Sequence, residues 1–165
     1  MTEPARSSLA AGLLLWVVIC FCAGAIGAAA SVQAGTFYAA LVRPGWAPPA
    51  SVFGPVWTVL YATMAVAAAL VWTGRRSQFR RLAIVLFAIQ LILNALWSWL
   101  FFAWHQGALA FMDIVLLWLC LVATVVLFWG IRPVAGMLLV PYLAWVSFAA
   151  ALNYSVWQLN PSVLA

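Results

Sequence analysis

The sequence predicts an all-α integral membrane protein: a bundle of five transmembrane helices with a long Pro- and Trp-rich first loop. Of its 165 residues, 69% are hydrophobic and only 5% are charged, and the mean hydropathy is +1.16. Soluble domains carry about 25% charged residues, so no soluble fold of this size could cover so much apolar surface. The apolar residues form five runs of about 20 residues or slightly more, enough for a helix to cross a hydrocarbon core of about 30 Å.

The five runs cover residues 9–30, 52–72, 82–104, 108–129 and 134–157, within one membrane domain over 1–165. Backbone groups inside lipid must be satisfied within their own segment, so each run is predicted to be a helix. The first run could instead be a signal peptide, since Arg6 precedes it, but a signal's apolar core is only about 7–15 residues long. Tryptophans end four runs, as expected at membrane interfaces: Trp72, Trp104, Trp129 and Trp157.

The arginines predict the orientation of the bundle. With five spans, the N-terminus and the second and fourth connections share one side, which carries Arg6, Arg75, Arg76, Arg80, Arg81 and Arg132. The other side carries only Arg43. By the positive-inside rule, the arginine-rich side is cytoplasmic if the host is a plasma membrane.

Composition also sets several function classes aside. The chain has no lysine, which excludes Schiff-base chemistry, and its clustered arginines fit membrane topology better than a nucleic-acid interface. The three cysteines lie inside apolar runs and His105 is the only histidine, so we expect neither a disulfide framework nor a metal site. No catalytic triad or nucleotide-binding loop is present either, and we assign no catalytic residue and no resident cofactor.

The first connection, residues 31–51, differs from the other connections, which are short. It contains the segment Arg43-Pro44-Gly45-Trp46-Ala47-Pro48-Pro49. Its prolines predict a stiff, extended loop without regular helix. A loop of this length in so compact a protein is usually a lid or a binding element.

Three predicted helices carry aromatic and polar stripes at helical spacing. These are Trp57, Tyr61, Met64 and Ala68 on the second, Gln90, Asn94, Trp97, Ser98 and Phe101 on the third, and Tyr142, Trp145, Ala149 and Asn153 on the fifth. Each stripe alone could be ordinary interhelical packing with amides as hydrogen-bonding glue. At about 1.5 Å per residue, however, the tryptophans and Ala149 converge in the membrane half under the long loop. The stripes together therefore predict an aromatic cavity for a flat, apolar ligand.

A few single residues leave alternatives open. Gly24 and Gly27 have the small-residue spacing that permits close helix contact. Pro141 could kink the fifth helix or serve structure alone. Asp113 lies near the start of the fourth helix, where it could snorkel to the interface or act as a proton acceptor.

These residues resemble the TspO family, also called translocator protein or peripheral-type benzodiazepine receptor. The resemblance covers nearly the whole chain, and the order of its motifs on five spans makes it specific. The matching segments are Gly24-Ala25-Ile26-Gly27, Phe37-Tyr38, 43–49, 52–61, 90–98, 140–145, Phe148-Ala149 and Leu152-Asn153.

The resemblance implies a five-helix bundle, commonly a homodimer, that binds tetrapyrroles such as protoporphyrin IX and haem. The resemblance also implies that some members bind cholesterol and benzodiazepine-type drugs. Carried over to this chain, the ligand-binding residues would be Tyr38, Trp46, Trp57, Gln90, Asn94, Trp97, Trp145, Ala149 and Leu152. Arg43 would be the partner of a ligand carboxylate.

The chain departs from the family pattern at three places. Phe37-Tyr38 stands where Trp-Tyr is usual, and Arg43 stands where lysine is common. No basic residue follows Tyr154, as the sterol motif proposed for animal members would require, and such motifs are weak in any case. The chain therefore resembles bacterial members more, and we expect a bacterial envelope membrane, inner or outer.

The leading functional prediction is a membrane receptor or transporter-like protein for tetrapyrroles, linked to porphyrin balance and stress signalling. The alternative is an enzyme that breaks down porphyrin by a light-dependent or oxidative reaction with a pocket tryptophan. Sterol transport is a lesser alternative. A proton-coupled pump ranks last, because Asp113 is the only candidate carboxylate in a span.

Overall fold

A computed structural model of the chain describes residues 3–74 and 77–164, with side chains from Leu9 onward. Within those ranges, every regular element is helical. Two arginines of the predicted basic connection, Arg75 and Arg76, and the side chain of Arg6 lie outside the described residues. The orientation predicted from them therefore stays a prediction.

Six α-helices follow one another: α1 Glu3–Ala30, α2 Ala34–Ala40, α3 Phe53–Trp72, α4 Arg80–Ser98, α5 Gly107–Ile131 and α6 Pro133–Leu159. A short 3-10 turn, Ala50–Val52, precedes α3, and a π-helical turn, Trp99–Ala103, extends α4. Five segments are long and apolar enough to cross a membrane: Leu9–Ala30, Ala50–Trp72, Arg80–Ala103, Gly107–Ile131 and Pro133–Leu159. The predicted five-helix fold is confirmed.

The five long helices close into a ring. Helix α1 contacts α3 and α4, α3 contacts α6, α6 contacts α5, and α5 returns to α4. Along α3, the small side chains of Ala65, Ala67, Ala68 and Ala69 are buried, which brings neighbouring backbones close together. Helix α6 continues through Pro141 without interruption.

The prediction for the first loop is wrong in its first half. Residues Ala34–Ala40 form α2, a helix of two turns, where an extended chain was expected. The prolines stand later, at Pro44, Pro48 and Pro49, so they remove no hydrogen bond from α2. The extended conformation begins only at Leu41, where α2 ends.

The snorkelling interpretation of Asp113 is also wrong. Its side chain is 5% exposed, and its Oδ2 atom has no hydrogen-bond partner among the described residues. Asp113 is the seventh residue of α5, which places it about 9 Å along the helix, too far for so short a side chain to reach the interface. A role as proton acceptor stays a prediction.

Candidate functional site

A cavity of about 600 Å³ lies under the first loop. Its walls come from the loop-side halves of α1, α3, α4 and α6, and α2 lies over it. Cavities of about 300–1,000 Å³ are typical of small-molecule sites. The site expected between the aromatic stripes therefore has the volume of a ligand pocket.

Six of the predicted ligand-binding residues line this cavity. They are Tyr38, Trp57, Asn94, Trp97, Trp145 and Ala149. Four different helices contribute them, and only the folded bundle brings them together. Trp46, Gln90, Leu152 and Arg43 do not belong to the lining.

Eight aromatic side chains line the cavity. The rings of Trp57 and Tyr61 lie 5.6 Å apart with an interplanar angle of 31°, and Phe53 meets the ring of Trp145 edge-on at 5.9 Å. Phe53 also meets Tyr38 edge-on at 5.4 Å. Such contacts stabilise a rigid apolar surface, because edge-to-face and offset rings are favourable pairs. A flat ligand would therefore meet preformed aromatic surfaces.

A chain of buried hydrogen bonds runs beside the cavity and engages the two amides of α4. The hydroxyl of Tyr61 donates to Oδ1 of Asn94, and Nδ2 of Asn94 lies 3.2 Å from the hydroxyl of Tyr142. That hydroxyl in turn donates to Oε1 of Gln90 over 2.8 Å. Gln90 is fully buried and hydrogen-bonds to a neighbouring helix. This is the alternative in which an amide of the stripe joins helices and does not contact a ligand. Of the two amides, only that of Asn94 lines the cavity.

Two cavity tryptophans differ in the state of their indole N–H groups. Nε1 of Trp97 donates to Oδ1 of Asn153 over 2.9 Å, and Nδ2 of Asn153 donates to the carbonyl of Gly107 over 3.2 Å. Nε1 of Trp145 is buried and has no acceptor among the described residues. The Trp97 ring is therefore held in place by α6, while Trp145 keeps a donor unused.

Tyr38 forms part of the cavity roof and is flanked by Arg43. The Tyr38 hydroxyl donates to the carbonyl of Pro48 over 3.1 Å, and the guanidinium carbon of Arg43 lies 4.8 Å from the Tyr38 ring centroid. Burial raises the pKa of Tyr38, and the hydrogen bond and charge of Arg43 oppose that rise. Arg43 is exposed and lies against the Tyr38 ring, but it does not line the cavity.

Trp46 and Leu152 lie outside the cavity lining. Trp46 is 51% exposed, and its ring meets that of Phe148 edge-on at 5.6 Å. Leu152 is buried in an apolar cluster that also contains Tyr38 and Leu41. Leu152 therefore packs in the same cluster as the roof residue Tyr38, whereas Trp46 contacts a residue of α6 that does not line the cavity.

Helix α1 contributes a wall that the aromatic and polar stripes do not predict. Gly24, Ala25, Gly27 and Ala28 all line the cavity. The glycine spacing predicts helix packing, and it does serve packing, because a Cβ at Gly24 would stand 2.8 Å from the Tyr61 ring. The same small residues leave space for the cavity, and their spacing was the signal available in the sequence.

The cavity side chains offer stacking surfaces and a few hydrogen-bonding groups. Its lining contains no carboxylate, histidine or cysteine. Across the described residues, no group of three or more His, Cys, Asp or Glu side chains could hold a metal ion. The arrangement is therefore suited to binding a flat, largely apolar molecule.

A sequence profile of the TspO/MBR family matches residues 16–158. The chain belongs to the TspO/MBR family. It is 41% identical over 148 residues to protein CrtK of Rhodobacter capsulatus, covering 89% of this chain and 91% of that protein. It is 43% identical over 151 residues to the tryptophan-rich protein TspO of Chlorobaculum tepidum, covering 90% of this chain and 96% of that protein. It is 41% identical over 127 residues to human translocator protein, with 75% of each chain covered.

Membership of the TspO/MBR family confirms the resemblance on which the site residues were chosen. The matched region includes the whole cavity lining, which runs along the chain from Phe21 to Ala149. Together with the five apolar helices, it makes the chain an integral, multi-pass membrane protein.

Proposed function

We propose that this TspO/MBR protein binds tetrapyrroles such as protoporphyrin IX and haem in the cavity under its first loop. It would act as a receptor or transporter-like protein in porphyrin balance and stress signalling. The observation that carries the proposal is the cavity itself, about 600 Å³ with Trp57, Trp97 and Trp145 in its wall. A porphyrin is a broad aromatic plate, and stacked rings are the contacts such a plate favours.

The roof of the cavity supports the proposed orientation of the ligand. A porphyrin of this class carries carboxylates at one edge, and Arg43 is the cation of the loop side. With the plate against Trp57 and Trp145, the acidic edge would lie toward Tyr38 and Arg43. Guanidinium groups form strong, charge-assisted hydrogen bonds with carboxylates, so Arg43 would hold that edge.

Titration of the purified protein in lipid nanodiscs with protoporphyrin IX tests the proposal. We expect saturable quenching of tryptophan fluorescence together with a shift of the pigment's absorption bands. Trp57→Leu and Trp145→Leu should weaken the binding. The matched control is Trp72→Leu, a tryptophan at the opposite end of α3 that is absent from the cavity lining. Non-saturable quenching, or equal affinity in all three variants, would contradict the proposal.

Breakdown of bound porphyrin is the second candidate. The observation that favours it is the close approach of several tryptophans to one cavity, since an indole can serve as a redox partner for an excited pigment. We expect no loss of pigment beyond that in protein-free nanodiscs if the protein only binds. Faster bleaching of protoporphyrin IX in light with dioxygen, absent in the dark and in Trp145→Leu, would support the enzyme instead.

The remaining assignments are proposals of the same kind. We propose a homodimer in a bacterial envelope membrane, which native mass spectrometry from nanodiscs would reveal as twice the 17.9 kDa chain mass. Sterol transport is the lesser alternative, because no lysine or arginine follows Tyr154. Competition of cholesterol with protoporphyrin IX would support it.

A further inference from the structure

We infer that ligands enter the cavity sideways from the bilayer, through a cleft between α1 and α3, and not from the aqueous side through the first loop. The inference rests on the proposed function, since it takes this cavity as the ligand site. It goes further by naming the route and the class of molecule admitted, which is one already dissolved in the membrane.

The cleft has one edge on each of two neighbouring spans. Ala25 and Ala28 form the edge on α1, and Gly54 and Thr58 form the edge on α3. All four residues line the cavity, and all four are exposed. Exposed lining residues on two neighbouring helices mark an opening of the cavity between them, and this opening continues to Gly35 and Ala50 of the first loop, which also line the cavity and are exposed.

Glycine contacts mark where the cleft ends. A Cβ on Gly12 would stand 2.9 Å from Thr73, and one on Gly24 would stand 2.8 Å from Tyr61. The two helices therefore touch from the arginine-rich side up to Gly24. From there to Ala30, α1 rises about 9 Å, so the mouth lies within the loop-side half of the hydrocarbon core.

The hydroxyl groups at the rim of the mouth are hydrogen-bonded within the protein. Thr58 donates its hydroxyl to the carbonyl of Gly54 over 2.9 Å, and Ser31 donates its hydroxyl to the carbonyl of Gly27 over 2.9 Å. An unsatisfied polar group in lipid costs several kcal/mol, so these internal bonds allow both hydroxyl side chains to border hydrocarbon.

The mouth is also empty of packing atoms. A Cβ added to Gly54 would meet nothing within 4 Å, in contrast to the tight contacts at Gly24. The same is true of Gly35 on α2, which lines the cavity beside the mouth. These two glycines therefore border open space, and a bulky side chain at Gly54 could be accommodated by the fold.

The first loop is held to the rest of the bundle by several contacts. The side-chain amide of Asn160 at the end of α6 pairs with both backbone groups of Val42, accepting from its N–H over 2.9 Å and donating to its carbonyl over 2.8 Å. Phe37 stacks on His105 with ring centroids 4.2 Å apart. Tyr38 also bonds to Pro48 within the loop, so entry by displacement of the loop would have to break these contacts.

The side entrance determines which ligands the protein admits. A flat, apolar molecule concentrates in the bilayer and can slide between α1 and α3 edge-first. A molecule with carboxylates at one edge can keep them at the interface while its apolar part enters. A molecule of the same shape that cannot partition into lipid would reach the cavity slowly, even if the cavity fitted it.

Stopped-flow tryptophan quenching by protoporphyrin IX, with the protein in lipid nanodiscs, tests the route. We expect Gly54→Phe to slow association and dissociation together by about tenfold or more, because it narrows the mouth. The affinity should change by much less than either rate. The matched control is Gly130→Phe on α5, where an added Cβ also meets nothing within 4 Å but the cavity is not bordered. Its rates should equal those of the unaltered protein.

A second variant tests the alternative route, which is entry from water through the first loop. Asn160→Ala removes the tie between α6 and the loop and would speed association if ligands entered through the roof. We expect no acceleration. If Asn160→Ala accelerates association about tenfold while Gly54→Phe leaves both rates unchanged, the side entrance is wrong and the proposed binding function stands. If the unaltered protein shows no saturable quenching, the proposed function itself fails.

Ala28→Phe keeps the inference testable should Gly54→Phe not fold. Ala28 lies on the opposite edge of the mouth and is exposed. The same slowing of both rates would support the side entrance, and unchanged rates in a folded Ala28→Phe protein would overturn it. A loss of affinity through faster dissociation alone would also overturn it, because that is the effect of a filled cavity and not of a narrowed mouth.

Discussion

The indole nitrogen of Trp97 on α4 lies 2.9 Å from Oδ1 of Asn153 on α6. The same amide uses its Nδ2 to bind the carbonyl of Gly107, the first residue of α5. One side chain thus joins three helices and holds the ring of a cavity tryptophan. The stability of the bundle and the shape of the cavity depend on the same contact.

Asn153→Ala should therefore destabilise the protein. It removes the acceptor of Trp97 and the donor to Gly107, and interhelical hydrogen bonds in membranes contribute about 0.6–1.7 kcal/mol each. We expect a lower thermal unfolding temperature in detergent. The control is Gln158→Ala, which removes an exposed amide on the same helix. Equal unfolding temperatures for the two variants would show that the Asn153 bonds do not stabilise the fold.

Gly24→Leu and Gly27→Leu should loosen the contacts of α1. A Cβ at Gly24 would stand 2.8 Å from the Tyr61 ring, and one at Gly27 would stand 3.1 Å from Oγ of Ser98. Overpacking of this kind typically costs about 1–3 kcal/mol. Thermal unfolding in detergent measures the effect, with Gly130→Leu as control. An unchanged unfolding temperature at Gly24 would mean that α1 can move away at no cost.

Trp57→Leu and Trp145→Leu should each weaken protoporphyrin IX binding by about threefold to tenfold. The estimate follows from about 0.5–1.5 kcal/mol per aromatic contact beyond area burial, where about 1.4 kcal/mol is a factor of ten. Fluorescence titration measures both variants. The result that would reject the shared pocket is full affinity in both, with the proteins folded.

Arg43→Ala should weaken protoporphyrin IX binding more than binding of an uncharged, drug-like ligand of similar size. Only the porphyrin offers carboxylates, and the guanidinium of Arg43 stands at the roof, 4.8 Å from the Tyr38 ring centroid. Parallel titrations with the two ligands measure the difference. Arg132→Ala, which alters an arginine between α5 and α6, is the control. Equal losses for both ligands would indicate a structural role for Arg43.

The five-span topology predicts that two reporters lie on opposite sides of the membrane. A reporter fused after Ala165 should lie on the loop side, and one inserted in the connection 73–81 should lie on the arginine-rich side, because an odd number of spans separates them. Accessibility of each reporter to a membrane-impermeant reagent provides the measurement. If both reporters label from the same side, the five-span topology is wrong.

Parts of the site could be predicted because helical periodicity is local. Spacings of three and four residues place Asn94 and Trp97 on one face, and residue counts along each span place Trp57 and Ala149 at similar depth. The same logic could not separate Asn94 from Gln90, which share that face. Gln90 is engaged by Tyr142 from another helix, and no spacing within α4 contains that information.

The sequence by itself determined the membrane fold, since five apolar runs of spanning length can satisfy their backbones in lipid only as helices. Only the tertiary structure decided that α1 forms a wall and a mouth of the cavity, that Asp113 is buried, and that α2 lies over the site. These features depend on which helices become neighbours, and that choice depends on contacts between side chains far apart in the chain, such as Gly24 with Tyr61 and Asn160 with Val42.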